Sequence, residues 1–482
     1  MLTCLILIPI FGSVHIALIA SRKGFDLYIR QIGIFWSLTT FIYSTIIWLY
    51  FDTNESGMQY LEYWPSISAL GDLTIGIDGI SLIFILLTTF LIPVALLSTW
   101  NSNDHKIKNH LINILILESI LIAVFSSLNI LAFYVFFEAG LIPLYLLIGN
   151  HGTNPNRIKA SLLLFLYTLG GSLFMLLSII KLIELYGTSD YVTMKYSTKL
   201  AIDQQTWIWL GIFISLAIKA PLFPVHIWLK TVHSESPLSG SIVLAGLILK
   251  LSVFGYIRLL LGILPEASLY FSPLVLTLAI ITIIHGSIIT LRQVDTKAFI
   301  ATSSVAHMGV IVLGLGSSSV HGLEGAILLS VAHGFSSPAL FILMGGVLYD
   351  RYHSRYIRFY KGLGSIMPSF KGMFFLASCA SMSVPLSLNW LSELLCLTGG
   401  LEISLFSGVL ASSSVLLGAI YTIWLYMIIT GGGLSPYLAL VPDLSFREKI
   451  MLTFLITPIL FFGIVSNPLL NLLYMPLSEY VL

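Results

Sequence analysis

The sequence predicts an all-α polytopic membrane protein of about fourteen transmembrane helices. Three observations carry that reading. Of 482 residues, 57% are hydrophobic and only 9% charged, with a mean hydropathy of +0.97, whereas soluble domains are typically about 25% charged. The apolar residues fall in runs of about 20, the length that crosses a bilayer as a helix. Basic residues are concentrated in alternate connections between those runs, the asymmetry that orients membrane helices.

Taken in order, the predicted crossings are 2–20, 31–51, 79–99, 110–127, 129–149, 161–183, 206–229, 239–262, 270–290, 298–317, 323–346, 372–400, 404–430 and 450–474. The first run has no basic region before it and no small-residue cleavage site ahead of Ser21-Arg22-Lys23, so it reads as a retained membrane helix. The stretch 110–149 is one long apolar run that must be cut near Ser126–Asn129. Connections after odd-numbered crossings hold seventeen of the 23 Lys and Arg, among them Arg22, Lys23, Arg30, Lys106, Lys108, Arg157, Lys159, Lys230, Arg292, Lys297, Arg351, Arg355 and Arg447. The connection after the second crossing holds only acids, including Asp52, Glu55, Glu62, Asp72 and Asp78. The basic face is therefore cytoplasmic or matrix, and both termini lie on the opposite, acidic face.

Composition also excludes functions. A net charge of +1 gives the chain no general affinity for nucleic acid. The cysteines Cys4, Cys379 and Cys396 are far apart, and no CxxC, P-loop or GxGxxG after a strand is present. No nucleotide, metal or redox centre is expected in this chain.

The chemistry should reside in the charges left at membrane depth, where each costs at least about 2.5–3.5 kcal/mol. Lys181 and Arg258 lie near segment ends and read as snorkelling side chains, which leaves Lys219 and Lys250 as the basic residues at depth. Lys219 lies in SLAIKAPLFPVHIWL, where Pro221 and Pro224 each remove a backbone donor and break the helix. Glu138, in FYVFFEAGLIP, is at similar depth and is the natural partner of Lys219. Burial disfavours a charged lysine and a nearby carboxylate favours it, so such a pair can load and release a proton. The alternative is a purely structural ion pair. Lys250, in AGLILKLSVFGYIR, extends the set; it either relays protons or lines a water cavity without transfer.

His307 and His333 lie mid-segment beside Ser303-Ser304 and Ser336-Ser337, residues that can hold water. Each is a shuttle candidate near neutral pH or a hydrogen-bonded packing residue. His226 and His233 read as nearer the membrane surface. Glu393, after Pro385, Ser387, Asn389 and Ser392, can titrate against one aqueous side, and Glu118 fits pairing or packing as well as transfer. Lys219 in the first half and Glu393 in the second each accompany a proline-broken helix, a pattern of transporters built from inverted repeats.

These stretches, together with HSESPLSGSIVLAGLILKL, LRQVDTKAFIATSSVAHM, LLSVAHGFSSPALF and GIDGISL, resemble the antiporter-like membrane subunits of respiratory complex I over nearly the whole chain. The resemblance implies two inverted five-helix repeats with broken helices 7 and 12. The divisions would be an N-terminal segment 1–108, repeats at 109–263 and 264–430, and a C-terminal helix in 431–482. It implies proton transfer by Glu138, Lys219, Lys250, His307, His333 and Glu393, driven by quinone chemistry elsewhere. NAD, FMN, iron–sulfur clusters and ubiquinone would reside in partner subunits, with none in this chain. Partners would be other membrane-arm subunits, including related antiporter-like ones, and membrane lipids. The setting would be the mitochondrial inner membrane or, alternatively, a bacterial plasma membrane. A cation/proton antiporter subunit would share the same motifs, and a membrane scaffold without transfer is the third reading. The chain departs from the family's common pattern twice: WLKTVHSESP replaces WLPxAHxEAP, placing Lys230 at a proline, and PLSLNWLSE replaces a glycine-containing PGTxNFxGE.

Overall fold

The computed structural model describes residues 1–19, 25–65, 72–100, 106–152 and 154–480; Arg22 and Lys23 of the charge census lie outside these. About 78% of the chain is helical. Ten helices among the described residues are long and apolar enough to cross a membrane. The helices Phe446–Ile464 and Asn467–Ser478 pass the same test together but are bent by 70°, so the predicted crossing 450–474 is not one straight helix. The first apolar helix, Leu2–Leu18, is shorter.

One element was not anticipated. Gln59–Trp64 and Leu73–Ile77 form an antiparallel hairpin, with Glu62 opposite Ile75 and Trp64 opposite Leu73. Its strands lie in a stretch legible from sequence only as an acidic connection. Asp78 follows directly and caps Gly79–Ser98 by a capping box with Ser81. That cap satisfies backbone donors which would otherwise be orphaned at a buried helix start.

Two crossings are interrupted at the positions of functional interest. The helix Ile202–Lys219 ends at Lys219, and the chain resumes as Ile227–Glu235 after the unwound stretch containing Pro221 and Pro224. Within it Phe223 N–H donates to Thr282 Oγ1 at 3.0 Å, one replacement for lost helical bonds. In the second half, Pro368–Ser381 and Leu388–Ile403 are separated by a break in which Ser383 and Leu386 take φ of +57° and +76°. Leu386 stands where the family pattern has glycine, and its left-handed backbone explains why glycine suits that position. The opening of this helix survives the departure. Lys230, at the family's proline, is exposed on the short helix Ile227–Glu235, where a lysine is easily accommodated.

Three helices, Leu238–Leu261, Thr296–Ser317 and Val320–Tyr352, have apolar stretches of 18 residues that are entirely buried. The first carries π-helical turns at Leu244–Ile248 and Tyr256–Leu261, on either side of Lys250. Such widened turns recur at functional sites because they shift side chains out of α-helical register.

Candidate functional site

Lys219 closes its helix at a break and is only 1% exposed. Its Nζ donates to the Phe137 carbonyl at 2.9 Å and sits 2.9 Å from the centroid of the Phe137 ring. Glu138 Oε1 is 3.8 Å away, a contact without hydrogen-bond length, and both Glu138 oxygens are buried with no hydrogen-bond partner. A desolvated cation over an aromatic face gains about 2 kcal/mol. Lys219 is thus held by backbone and ring while its counter-charge stays loose, an arrangement that can tighten or open as protonation changes.

Lys250 is wholly buried. Its Nζ bonds the Ala245 carbonyl at 2.5 Å and His333 Nδ1 at 2.7 Å, and no carboxylate among the described residues lies within 4 Å of it. Two positive charges 2.7 Å apart would repel by roughly 6 kcal/mol at an effective dielectric constant of about 20. The pair therefore holds at most one positive charge. His333 and His307 follow with ring centroids 5.5 Å apart, and the buried Nε2 of His333 has no partner.

Glu393 is 5% exposed and accepts hydrogen bonds from Ser383, in the helix break, and from Ser414 at 2.6 Å. Asn389, one turn earlier, donates to Ser336 Oγ at 3.3 Å and leaves its own oxygen unpaired. Tyr421, on the same helix as Ser414, faces His307 Nε2 at 3.4 Å. One helix therefore touches both the histidine pair and Glu393.

Several side chains were misplaced by sequence reasoning. Arg258 does not snorkel: it is 6% exposed, with NH2 2.5 Å from Asp78 Oδ1 and NH1 donating to Tyr480 at 2.7 Å. Lys297 is not in an open connection but 1% exposed in the first turn of Thr296–Ser317, donating to the Ser236 carbonyl at 2.8 Å. It is a third buried lysine beside the two anticipated. His233 is fully buried, with neither ring nitrogen bonded and its ring 4.8 Å from Phe341, whereas His226 is half-buried beside His285. Glu118 accepts from Thr40 at 2.6 Å on the wall formed by Asp26–Leu49 and Ile107–Ser126, and its second oxygen is unpaired.

On the basic face a cleft of about 380 Å³ is lined by Lys159, Lys230, Ser234, Glu235 and Asp295. Arg355 binds the Ser234 carbonyl and lies 3.9 Å from Glu235 and 3.6 Å from Asp295. Ser236, next in sequence to Glu235, is the acceptor for Lys297. Polar groups thus continue from this cleft toward the protein interior.

Known proteins share the fold and much of the sequence of this chain. The family model described as NADH:quinone oxidoreductase/Mrp antiporter, TM, matches residues 127–418. NADH-ubiquinone oxidoreductase chain 4 of Mycosarcoma maydis is 46% identical, covering 100% of this chain and 99% of its own length. Its counterpart from Arabidopsis thaliana is 40% identical, covering 100% and 97%. A chain in respiratory complex I from Thermus thermophilus with bound NADH superposes with a TM-score of 0.88 at 26% identity, covering 100% and 99%. The chain belongs to the NADH:quinone oxidoreductase/Mrp antiporter family of membrane subunits, within which its full-length relatives are chain 4 of NADH-ubiquinone oxidoreductase.

Proposed function

We propose that this chain is a proton-translocating membrane-arm subunit of an NADH:ubiquinone oxidoreductase in the mitochondrial inner membrane. Protons move along the buried line Glu138/Lys219, Lys250, His333 and His307, and Glu393. The observation that carries this reading is Lys250, fully buried and hydrogen-bonded to His333 without a carboxylate counter-ion. A lysine retained there for structure alone would be more stable replaced by an apolar side chain or paired with an acid. Along the line, a change of charge at one member alters the proton affinity of the next through a weakly screening interior.

The relatives' names, and the complex that contains the Thermus chain, support partners that hold NADH and quinone chemistry. NAD, FMN, iron–sulfur clusters and ubiquinone belong to those partners in this reading, and other antiporter-like subunits and lipids border this chain. The two helix breaks, after Lys219 and before Leu388, support an arrangement of fourteen crossings with two inverted repeats at 109–263 and 264–430. The cleft bounded by Glu235 and Asp295, followed by Ser236, Lys297 and His233, supports proton uptake from the basic face. Identity of 40–46% to chain 4 over the full length favours this function over a cation/proton antiporter.

The test is Lys219→Ala in the assembled complex, with NADH oxidation and proton pumping measured in sealed vesicles. Loss of pumping beyond any loss of electron transfer is expected. Intact pumping alongside normal electron transfer would sink the role assigned to Lys219.

A further inference from the structure

We propose that Phe254 and the Asp78–Arg258 pair form a proton barrier that closes Lys250 off from the acidic face. This rests on the transfer role of Lys250 above and adds to it a one-sidedness of access.

Lys250 and Phe254 are one turn apart on the α-helical stretch Lys250–Gly255, and Arg258 follows on the π-helical turn Tyr256–Leu261 with its guanidinium beside the Phe254 ring. The chain runs from the lysine past the phenylalanine to the arginine toward the acidic face, with the phenylalanine between the two cations. Phe254 is the hub of an aromatic cluster. Phe125 lies 5.2 Å from it, and Phe84 and Phe133 each 6.1 Å, by ring centroid. Phe133 in turn lies 5.5 Å from Phe137, the residue whose ring and carbonyl hold Lys219. One apolar plug therefore underlies both lysines.

Arg258 completes the seal. Its guanidinium carbon sits 5.2 Å from the Phe254 ring and 5.4 Å from that of Tyr191, whose hydroxyl bonds Tyr480 at 2.8 Å. Two voids show how the pair is oriented. The outer one, of about 160 Å³, is lined by Asp78, Lys195, Glu479 and Tyr480 and is large enough for several waters. The other is lined by Phe125, Phe133, Phe254 and Arg258, with Ser127 and Tyr191 as its remaining polar residues, and holds about 10 Å³, at the lower limit for one water. The carboxylate thus borders the wet side and the guanidinium the dry side. A proton arriving from the acidic face meets Asp78, then the paired arginine, then the Phe125, Phe133 and Phe254 rings, with Ser127 and the Tyr191 hydroxyl at the edge of that layer. Pore proteins exclude protons with an arginine and an apolar constriction in the same way. Toward the basic face, the neighbourhood holds His233, Ser236 and Lys297 instead. A transfer chain open to both faces at one residue would short-circuit the gradient, so a seal on one side is what the function requires.

The experiment uses the complete complex in sealed vesicles, without NADH, and follows the collapse of an imposed pH gradient. Phe254→Ser should raise the passive proton leak at least severalfold. Phe254→Leu, which keeps the layer apolar, should restore tightness. The leak should vanish when Lys250→Met is added to Phe254→Ser, because its route passes through the lysine. Asp78→Asn with Arg258→Met removes the charged part of the barrier without stranding either charge, and should leak as well. Wild-type tightness in assembled Phe254→Ser complex overturns the proposal, as does a leak that persists in the Lys250→Met background. If Lys250→Met alone leaves pumping intact, the transfer reading fails instead, so the two failures are distinguishable.

Discussion

Replacing Lys250 by arginine separates proton transfer from every role that needs only a cation. Arginine keeps the positive charge and donors for the Ala245 carbonyl and His333 Nδ1, now bonded at 2.5 and 2.7 Å. It does not release its proton at any physiological pH. Its larger group must fit a fully buried site, which costs about 1–3 kcal/mol of overpacking. Lys250→Met makes the opposite trade: the volume is kept and the bond to His333 is lost. An unsatisfied buried partner costs about 1–3 kcal/mol; where that interaction is lost from the transition state of transfer, at about 1.4 kcal/mol per decade it slows the step through His333 roughly 5- to 150-fold. Both variants should therefore lose coupled turnover by one to two orders of magnitude while retaining assembly on native gels. The assay is NADH-driven acidification of sealed vesicles, with NADH oxidation measured with and without uncoupler. Full pumping by assembled Lys250→Arg complex would refute the reasoning, because a fixed cation would then suffice.

Two further outcomes follow from the connections and breaks. Asp443 accepts from the backbone N–H of Ser369 at 2.7 Å, Phe370 at 3.1 Å and Leu444 at 2.7 Å. Burial alone would raise its pKa, but these bonds outweigh it and hold the carboxyl below the usual carboxylate range. A depressed folded-state value means that stabilisation is complete above about pH 4 and is lost as pH falls through the folded value. Asp443→Asn should accordingly lower thermal stability more at pH 7 than at pH 3; an equal loss at both values would contradict this. Leu386→Gly should raise stability modestly. A left-handed backbone at φ +76° costs leucine about 1–2 kcal/mol, against about 0.5–1 kcal/mol of extra chain entropy lost by glycine. A melting temperature of the assembled complex at or below wild type would show that the exposed leucine is held there by other contacts.

Much of the site was legible because a charge in a long apolar run is conspicuous. Glu138, Lys219, Lys250 and Glu393 needed only the local composition to be singled out, and Pro221 and Pro224 marked the first break on covalent grounds. What escaped was of three kinds. Tyr421, Ser383 and Ser414 are ordinary members of an apolar helix or its flank, and only packing brings them to His307 and Glu393. Arg258 and Lys297 lie near predicted segment ends, where a cation either reaches water or is covered by neighbouring helices. The one-dimensional pattern is the same in both cases. The strand pair Gln59–Trp64 and Leu73–Ile77 was hidden in an acidic connection, since its pairing depends on what it packs against.

The sequence by itself determined the class of protein and singled out Glu138, Lys219, Lys250 and Glu393 as charges within long apolar runs. These follow from solvation: a residue's cost in a bilayer depends first on its own chemistry and on the apolar length around it. The tertiary structure decided which of those groups meet. It set Lys250 against His333 instead of a carboxylate, left Glu138 loose beside Lys219, and placed Phe254 between Lys250 and Arg258. Contacts of 3–6 Å between helices depend on register and crossing, which residue spacing along one chain does not encode.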